Sequence, residues 1–132
     1  MIKCRYVAEF GNSVDKVWNV VTNHDESEWR TDIVRTEVST DKNTFTEYTK
    51  DDFSTIFKVT LKIPHERYEF SMENDNLTGH WTGIFTKKNG RSVFELIEEV
   101  TVLKVWMRPF AKIYLKRQQK KYVADLRKAL GE

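Results

Sequence analysis

The chain has 132 residues, a formal net charge of +2, a single cysteine and 13% aromatic residues. One domain over 1–132 is expected, large enough to hide roughly two-thirds of its unfolded surface. One cysteine excludes an internal disulfide, and the absence of a signal peptide and of a long apolar run argues for a cytoplasmic chain without a membrane span.

Lys3–Phe10 reads as a strand, broken by Gly11-Asn12. Asn12 or Ser13 can cap the next helix, and Asp15 falls in its positively polarised first turn. Val14, Val17, Trp18 and Val21 recur at helical spacing, so 13–22 is predicted to be a short amphipathic helix. The polar run Asn23–Trp29 is read as one further helical turn.

From Asp32 the apolar period becomes two and stays so to Leu103. Six strands are predicted, at 32–39, 44–50, 53–63, 67–73, 78–87 and 91–103. Short turn-forming links join them: Asp41-Lys42-Asn43, Asp51-Asp52, Pro64-His65-Glu66, Asp75-Asn76 and Asn89-Gly90. This is an antiparallel meander. In 53–63 the odd positions, Phe53 to Ile63, face the core, with Ile56 the exception. Asn89-Gly90 is a strong two-residue hairpin signal. It pairs Phe85 with Phe94, Gly83 with Leu96 and Trp81 with Glu98. A two-residue loop at Asp75-Asn76 pairs Phe70 with Trp81 and Met72 with Gly79. A four-residue loop at 64–67 pairs Leu61 with Phe70. These registers turn the larger apolar set to one face, which a slip of one residue would invert. Over 44–50 the pattern does not decide between Thr46 with Tyr48 and Phe45 with Glu47 as the inward pair.

Val105–Leu130 reads as one long helix. At ~100° per residue, Ala111, Leu115, Tyr122, Val123, Leu126, Ala129 and Leu130 fall on one stripe. Lys and Arg cover much of the rest. Residues 105–128 hold eight basic side chains against Asp125, a local charge of +7, which leaves −5 elsewhere. That pattern suits a solvated helix face beside an acidic body better than a nucleic-acid or membrane contact. Trp106, Phe110, Ile113 and Tyr114 leave the stripe and form an apolar collar at the helix start. Burial or a cavity gate is the favoured reading, a partner surface the other. Pro109 fits only a first turn or a kink.

No metal, nucleotide or hydrolase motif is present. His24, His65 and His80 lie in separate elements, and His80 is predicted to face outward beside Glu99. Cys4 is read as a small strand residue. The one mid-strand ionisable group turned inward is Glu98, flanked by Leu96, Val100 and Trp81. A carboxylate in such surroundings must find a partner or become protonated. It could act as a general base or hold a ligand hydroxyl or amine. A place at a cavity mouth, or pairing with Arg30 or Arg35, would make it structural. Gly79 and Gly83 either make room for neighbouring rings or open floor space for a ligand.

The order strand, short helices, meander, long helix resembles the START-like helix-grip (SRPBCC) superfamily. Ser13-Val14-Asp15-Lys16-Val17-Trp18 is similar to its first-helix start. Trp29-Arg30-Thr31-Asp32, Gly79-His80-Trp81-Thr82-Gly83 and Tyr114-Leu115-Lys116-Arg117-Gln118-Gln119 resemble segments of small bacterial polyketide cyclase/dehydrase-like members. The resemblance implies an α+β helix-grip fold. Its parts are a curved seven-stranded antiparallel sheet, two short helices after the first strand, and the long C-terminal helix across the concave face. It also implies a cavity between sheet and helix, for which the candidate lining is Phe57, Phe70, Trp81, Phe85, Leu96, Glu98, Leu115 and Tyr122. Roles in that superfamily diverge, so fold alone does not choose among them. The leading expectation is binding of a small apolar or aromatic molecule or a lipid, with no cofactor, metal, nucleic acid or stable membrane insertion. The alternatives are a cyclase/dehydrase-type enzyme using Glu98 as acid/base, and a protein-interaction or chaperone-cofactor-like module using the C-terminal helix.

Overall fold

The computed structural model describes residues 1–132. Strand β1 (Ile2–Phe10) leads into helix α1 (Val14–Thr22). The meander follows as β2 (Arg35–Val38), β3 (Thr44–Tyr48), β4 (Ser54–Ile63), β5 (Arg67–Glu73), β6 (Leu77–Lys88) and β7 (Arg91–Val102). One turn of 3-10 helix at Val105–Met107 then opens α2 (Arg108–Ala129). The seven strands form one antiparallel sheet in the order β1-β7-β6-β5-β4-β3-β2, so β1 closes the meander against its last strand. No helix is long and apolar enough to cross a membrane.

Turn chemistry sets most of the registers. Asn89 and Gly90 both take positive φ, 50° and 79°, the two-residue turn whose twist matches that of the flanking strands. Phe85↔Phe94, Gly83↔Leu96 and Trp81↔Glu98 pair as the sequence predicts, and so do Phe70↔Trp81 and Met72↔Gly79. Phe45 and Glu47 are the inward pair of β3, with Phe45 opposite Phe57.

The link from β4 to β5 departs from expectation. Phe70 pairs with Val59 rather than Leu61, because the register shifts between Val59 and Leu61. One extra residue there reverses the alternation beyond it. Leu61 and Ile63 are therefore exposed, and Tyr68 is buried opposite Gly83. A single helix follows β1, not two. Over Asn23–Trp29 there is no apolar stripe to bury, and the segment runs as turns, tied down by Ser27 to Thr36 and Asp25 to Lys42.

α1 buries Val17, Trp18 and Val21 against β6 and β7, and Trp18 meets Phe85 edge-on at 5.0 Å. α2 lies on the concave face, closest to β1. Its 22 residues span ~33 Å. Pro109 falls in the first turn, where its missing N–H costs nothing. Ala111, Leu115, Val123 and Leu126 are buried as predicted, and Ala129 is exposed. Two polar residues, Gln119 and Asp125, join the buried side.

Candidate functional site

The strand pairings bring three rings to the middle of the concave face, and α2 adds a fourth. Phe70 and Trp81, partners across β5 and β6, stack at 4.5 Å with an 8° tilt. Phe57 from β4 meets Phe70 edge-on at 5.2 Å, and Tyr122 from α2 meets Trp81 at 6.2 Å. Gly83 lets the indole lie flat, since a Cβ there would come within 2.8 Å of the Trp81 ring. A Cβ on Gly79 would come as close to the Glu99 carbonyl. Both glycines therefore make room for their neighbours rather than for a ligand.

Between this wall and α2 is a cavity of about 170 Å³. Phe57, Phe70, Trp81, Leu96, Glu98, Leu115 and Tyr122 all line it. Phe85 does not: it packs between Trp18 of α1 and Phe94. Trp81 is buried and faces inward.

Glu98 sits in the ladder between Cys4 and Trp81. Burial pushes its pKa up to about 7, with the Gln119 amide and the Arg30 charge pulling the other way. Neither Arg30 nor Arg35 pairs with it. Gln119, one turn after Leu115 on α2, is almost fully buried. Its Nε2 donates to the Cys4 carbonyl at 3.1 Å. That bond fixes the amide and leaves Oε1 buried with no hydrogen-bond partner. An orphaned buried acceptor costs about 1–3 kcal/mol, so this end of the cavity is suited to a hydrogen-bond donor.

The opposite polar wall comes from the loop after α1. Asp125 of α2 accepts bonds from the Thr31 backbone N–H and hydroxyl, both at 2.9 Å, and so anchors the loop. Arg30 then points inward, 4.9 Å over the Tyr122 ring. It bonds Asp32 at 2.9 Å and Glu47 at 3.1 Å. Burial alone would lower the Arg30 pKa, but Glu47 and Asp32 outweigh it and raise the value. Burial raises Glu47 against the pull of Arg30, whereas at Asp32 the guanidinium bonds outweigh burial and lower it. The three groups satisfy one another, so none is a free base. Beside them His24 lies on Phe45 at 3.6 Å and hydrogen-bonds the Tyr68 hydroxyl at 2.8 Å. Burial, with Arg30 and Lys62 nearby, lowers its pKa to about 3, and it stays neutral.

A second space of about 290 Å³ opens at the start of α2, with Trp106, Met107, Phe110 and Val102 in its walls. It shares Asn74, Leu77, Tyr114 and Leu115 with the inner cavity. The collar thus stands at the mouth, and it is exposed rather than buried. A larger depression, about 570 Å³, lies around His80 and Glu99 and is lined mainly by polar residue types. No group of three or more His, Cys, Asp or Glu side chains is placed to hold a metal ion.

Sequence reasoning singled out Glu98 and the rings but missed Gln119 and the Arg30–Asp32–Glu47 cluster. Gln119 carried a usable signal, since it lies four residues from both Leu115 and Val123 and therefore on the apolar stripe. Asp32 and Glu47 carried none, because their meeting depends on how a loop and a strand edge approach in space.

A curved sheet gripping a helix around a ring-walled cavity defines the helix-grip class. No family model and no curated protein matches the sequence. Solved structures do match in shape. A START superfamily protein from Mycobacterium smegmatis superposes with a TM-score of 0.82 at 11% identity, covering 96% of this chain and 95% of that one. The Zhui aromatase/cyclase from Streptomyces sp. R1128 gives 0.85 at 7% identity, with 97% and 92% covered. XoxI from Bacillus cereus gives 0.80 at 16% identity, with 98% and 95% covered. The chain has the START-like, polyketide cyclase-like fold. At these identities the likeness is one of fold.

Proposed function

We propose that this single helix-grip unit binds a small molecule with an aromatic or apolar body and one donor group, a hydroxyl or an amine. The observation that carries this is the unpartnered, buried Oε1 of Gln119 beside Glu98, at the end of a cavity walled by Phe57, Phe70 and Trp81. A donor placed there satisfies the amide oxygen, while the ring of the ligand lies against Trp81. Native mass spectrometry of the purified protein is the first test. A co-purified small molecule, or binding of monocyclic phenols and anilines read by Trp81 fluorescence in single-tryptophan variants, supports the reading. Glu98→Gln should weaken that binding roughly tenfold while the fold is kept. An empty protein that binds none of these compounds would overturn the reading.

A second reading is a cyclase/dehydrase-type enzyme with Glu98 as acid/base. Its support is a carboxyl poised near neutrality beside a cavity, in the fold that the Zhui aromatase/cyclase also has. The two readings part at one variant. Turnover abolished in Glu98→Gln with substrate still bound favours the enzyme, whereas binding without any turnover in the parent protein favours the carrier.

A further inference from the structure

The collar at the start of α2 is the largest feature that the cavity does not explain. Val105 is 68% exposed, Trp106 72%, Phe110 68%, and Ile113 and Tyr114 57% each. Large apolar side chains concentrated this way on a water-facing surface mark an interaction site. Phe110, Ile113 and Tyr114 fall on the outward side of the helix, opposite Leu115 and Leu126. Further along that same outward side the residues become Arg117, Lys120 and Lys121. From Leu103 to Lys121 there is no Asp or Glu, and seven Lys or Arg side chains are present. None of the seven enters an ion pair. Across the opening, the facing lip lines the space with Phe53, Asn74 and Asn76, and the exposed acids beside them are Asp51, Asp52 and Asp75, against seven basic side chains on the helix side.

We propose that this apolar tip and basic stripe dock the protein peripherally on an anionic lipid surface. Trp106, Phe110 and Ile113 would enter the boundary between headgroups and acyl chains, and Arg117, Lys120 and Lys121 would lie on the lipid phosphates. The charge pattern selects this occupant over the others. A second copy would bring two acid-free basic helices face to face, which like-charge repulsion opposes. Nucleic acid would satisfy the basic half but leave Val105, Phe110 and Ile113 against water or phosphate. An anionic bilayer complements both halves at once. The docking is peripheral in that no helix is long and apolar enough to cross the bilayer. The docked face would turn the outer space toward the lipid, because Trp106, Phe110 and Tyr114 also wall that space, which shares Asn74, Leu77, Tyr114 and Leu115 with the inner cavity.

The test is partitioning of the full chain between buffer and vesicles of phosphatidylcholine, with or without phosphatidylglycerol. Binding should be seen on the phosphatidylglycerol vesicles, fall with added salt, and be weak on phosphatidylcholine alone. Arg117→Glu/Lys121→Glu should lower the partition coefficient at least about tenfold. Trp106→Ser/Phe110→Ser should lower it similarly, although it keeps every charge. All four positions are exposed, so melting points should stay at the parent value and separate lost docking from lost fold. Brominated acyl chains should quench tryptophan emission of the parent, and less so in Trp106→Phe. Equal partitioning on both vesicle types, or parent-like partitioning of either double variant, would overturn the proposal. So would a DNA duplex, or a dimer that covers the collar, binding where vesicles do not.

Discussion

Removing the titration of Glu98 should change how stability depends on pH, by an amount that the burial of this side chain sets. Unfolded, Glu98 ionises near 4.5; folded, burial moves it to about 7. Between those values the unfolded chain has released a proton that the folded chain still holds. The fold therefore loses stability as pH rises through this window, and the loss is complete above about 7. Below 4.5 both states are protonated and nothing is lost. At about 1.4 kcal/mol per pH unit, the interval corresponds to about 3 kcal/mol. Glu98→Gln keeps the shape and cannot ionise. The variant should match the parent near about pH 4 and exceed it by up to about 3 kcal/mol near about pH 8, which is about 10 °C in melting temperature for a chain of this length. Urea unfolding of both proteins across that range is the assay, and taking the difference cancels the other titrating groups. A parent-to-variant difference that stays flat with pH would show that Glu98 is solvated, and would remove the electrostatic basis of the site.

Leu126→Ala should destabilise the fold by about 2–5 kcal/mol in the same assay, because the side chain has no solvent exposure and its cavity cannot collapse between sheet and helix. Arg30→Met should cost about 3–5 kcal/mol near neutral pH by leaving Asp32 and Glu47 without their cation, and Asp32→Asn/Glu47→Gln added to it should recover much of that loss. His24 is neutral in the fold and ionises near 6.5 when unfolded, so the parent should lose stability as pH falls from 6.5 toward about 3. His24→Phe should flatten that limb; NMR of the ring nitrogens, showing no titration in the folded protein above about pH 4, checks the cause.

Much of the sheet was legible because two of its hairpins carried their own local instruction. Asn89-Gly90 and Asp75-Asn76 fixed two registers, and those two registers placed Phe70, Trp81 and Glu98 together on the concave face. The β4–β5 link misled because its irregularity is not written in residue types. Leu61 and Ile63 have the alternation of inward residues, and only the pairing reveals that an extra residue has turned them out. The long helix was legible as an amphipathic stripe, but the polar residues on it were not valued. Gln119 and Asp125 look like interruptions in a hydrophobic pattern, yet one holds the Cys4 carbonyl and the other anchors the Thr31 loop. Of the two favoured readings of the collar, burial fails, since its side chains are exposed, and the reason is related. Apolar character all round a helix end indicates that something covers it, and does not say whether the cover belongs to the same chain.

The size of the cavity narrows what the site can hold. An apolar cavity of about 150 Å³ accommodates one benzene ring, and the inner space here is about 170 Å³. A single ring therefore fills it, and its substituent has little freedom. One wall is made of rings already locked by stacking and edge contacts, Leu115 on the helix stands in another, and the paired Arg30, Asp32 and Glu47 form the polar one. A donor on that ring has the Glu98 carboxyl and Gln119 Oε1 to reach, because Arg30, Asp32 and Glu47 are occupied with one another. A larger ligand must extend past Leu77 and Tyr114 into the outer space, which is lined almost wholly by apolar groups. The shape that satisfies every wall is thus a polar-tipped ring seated inward with an apolar extension leading out between Leu77 and the collar. Under the proposed function, that orientation would put the recognised end at Glu98 and the apolar end toward the collar.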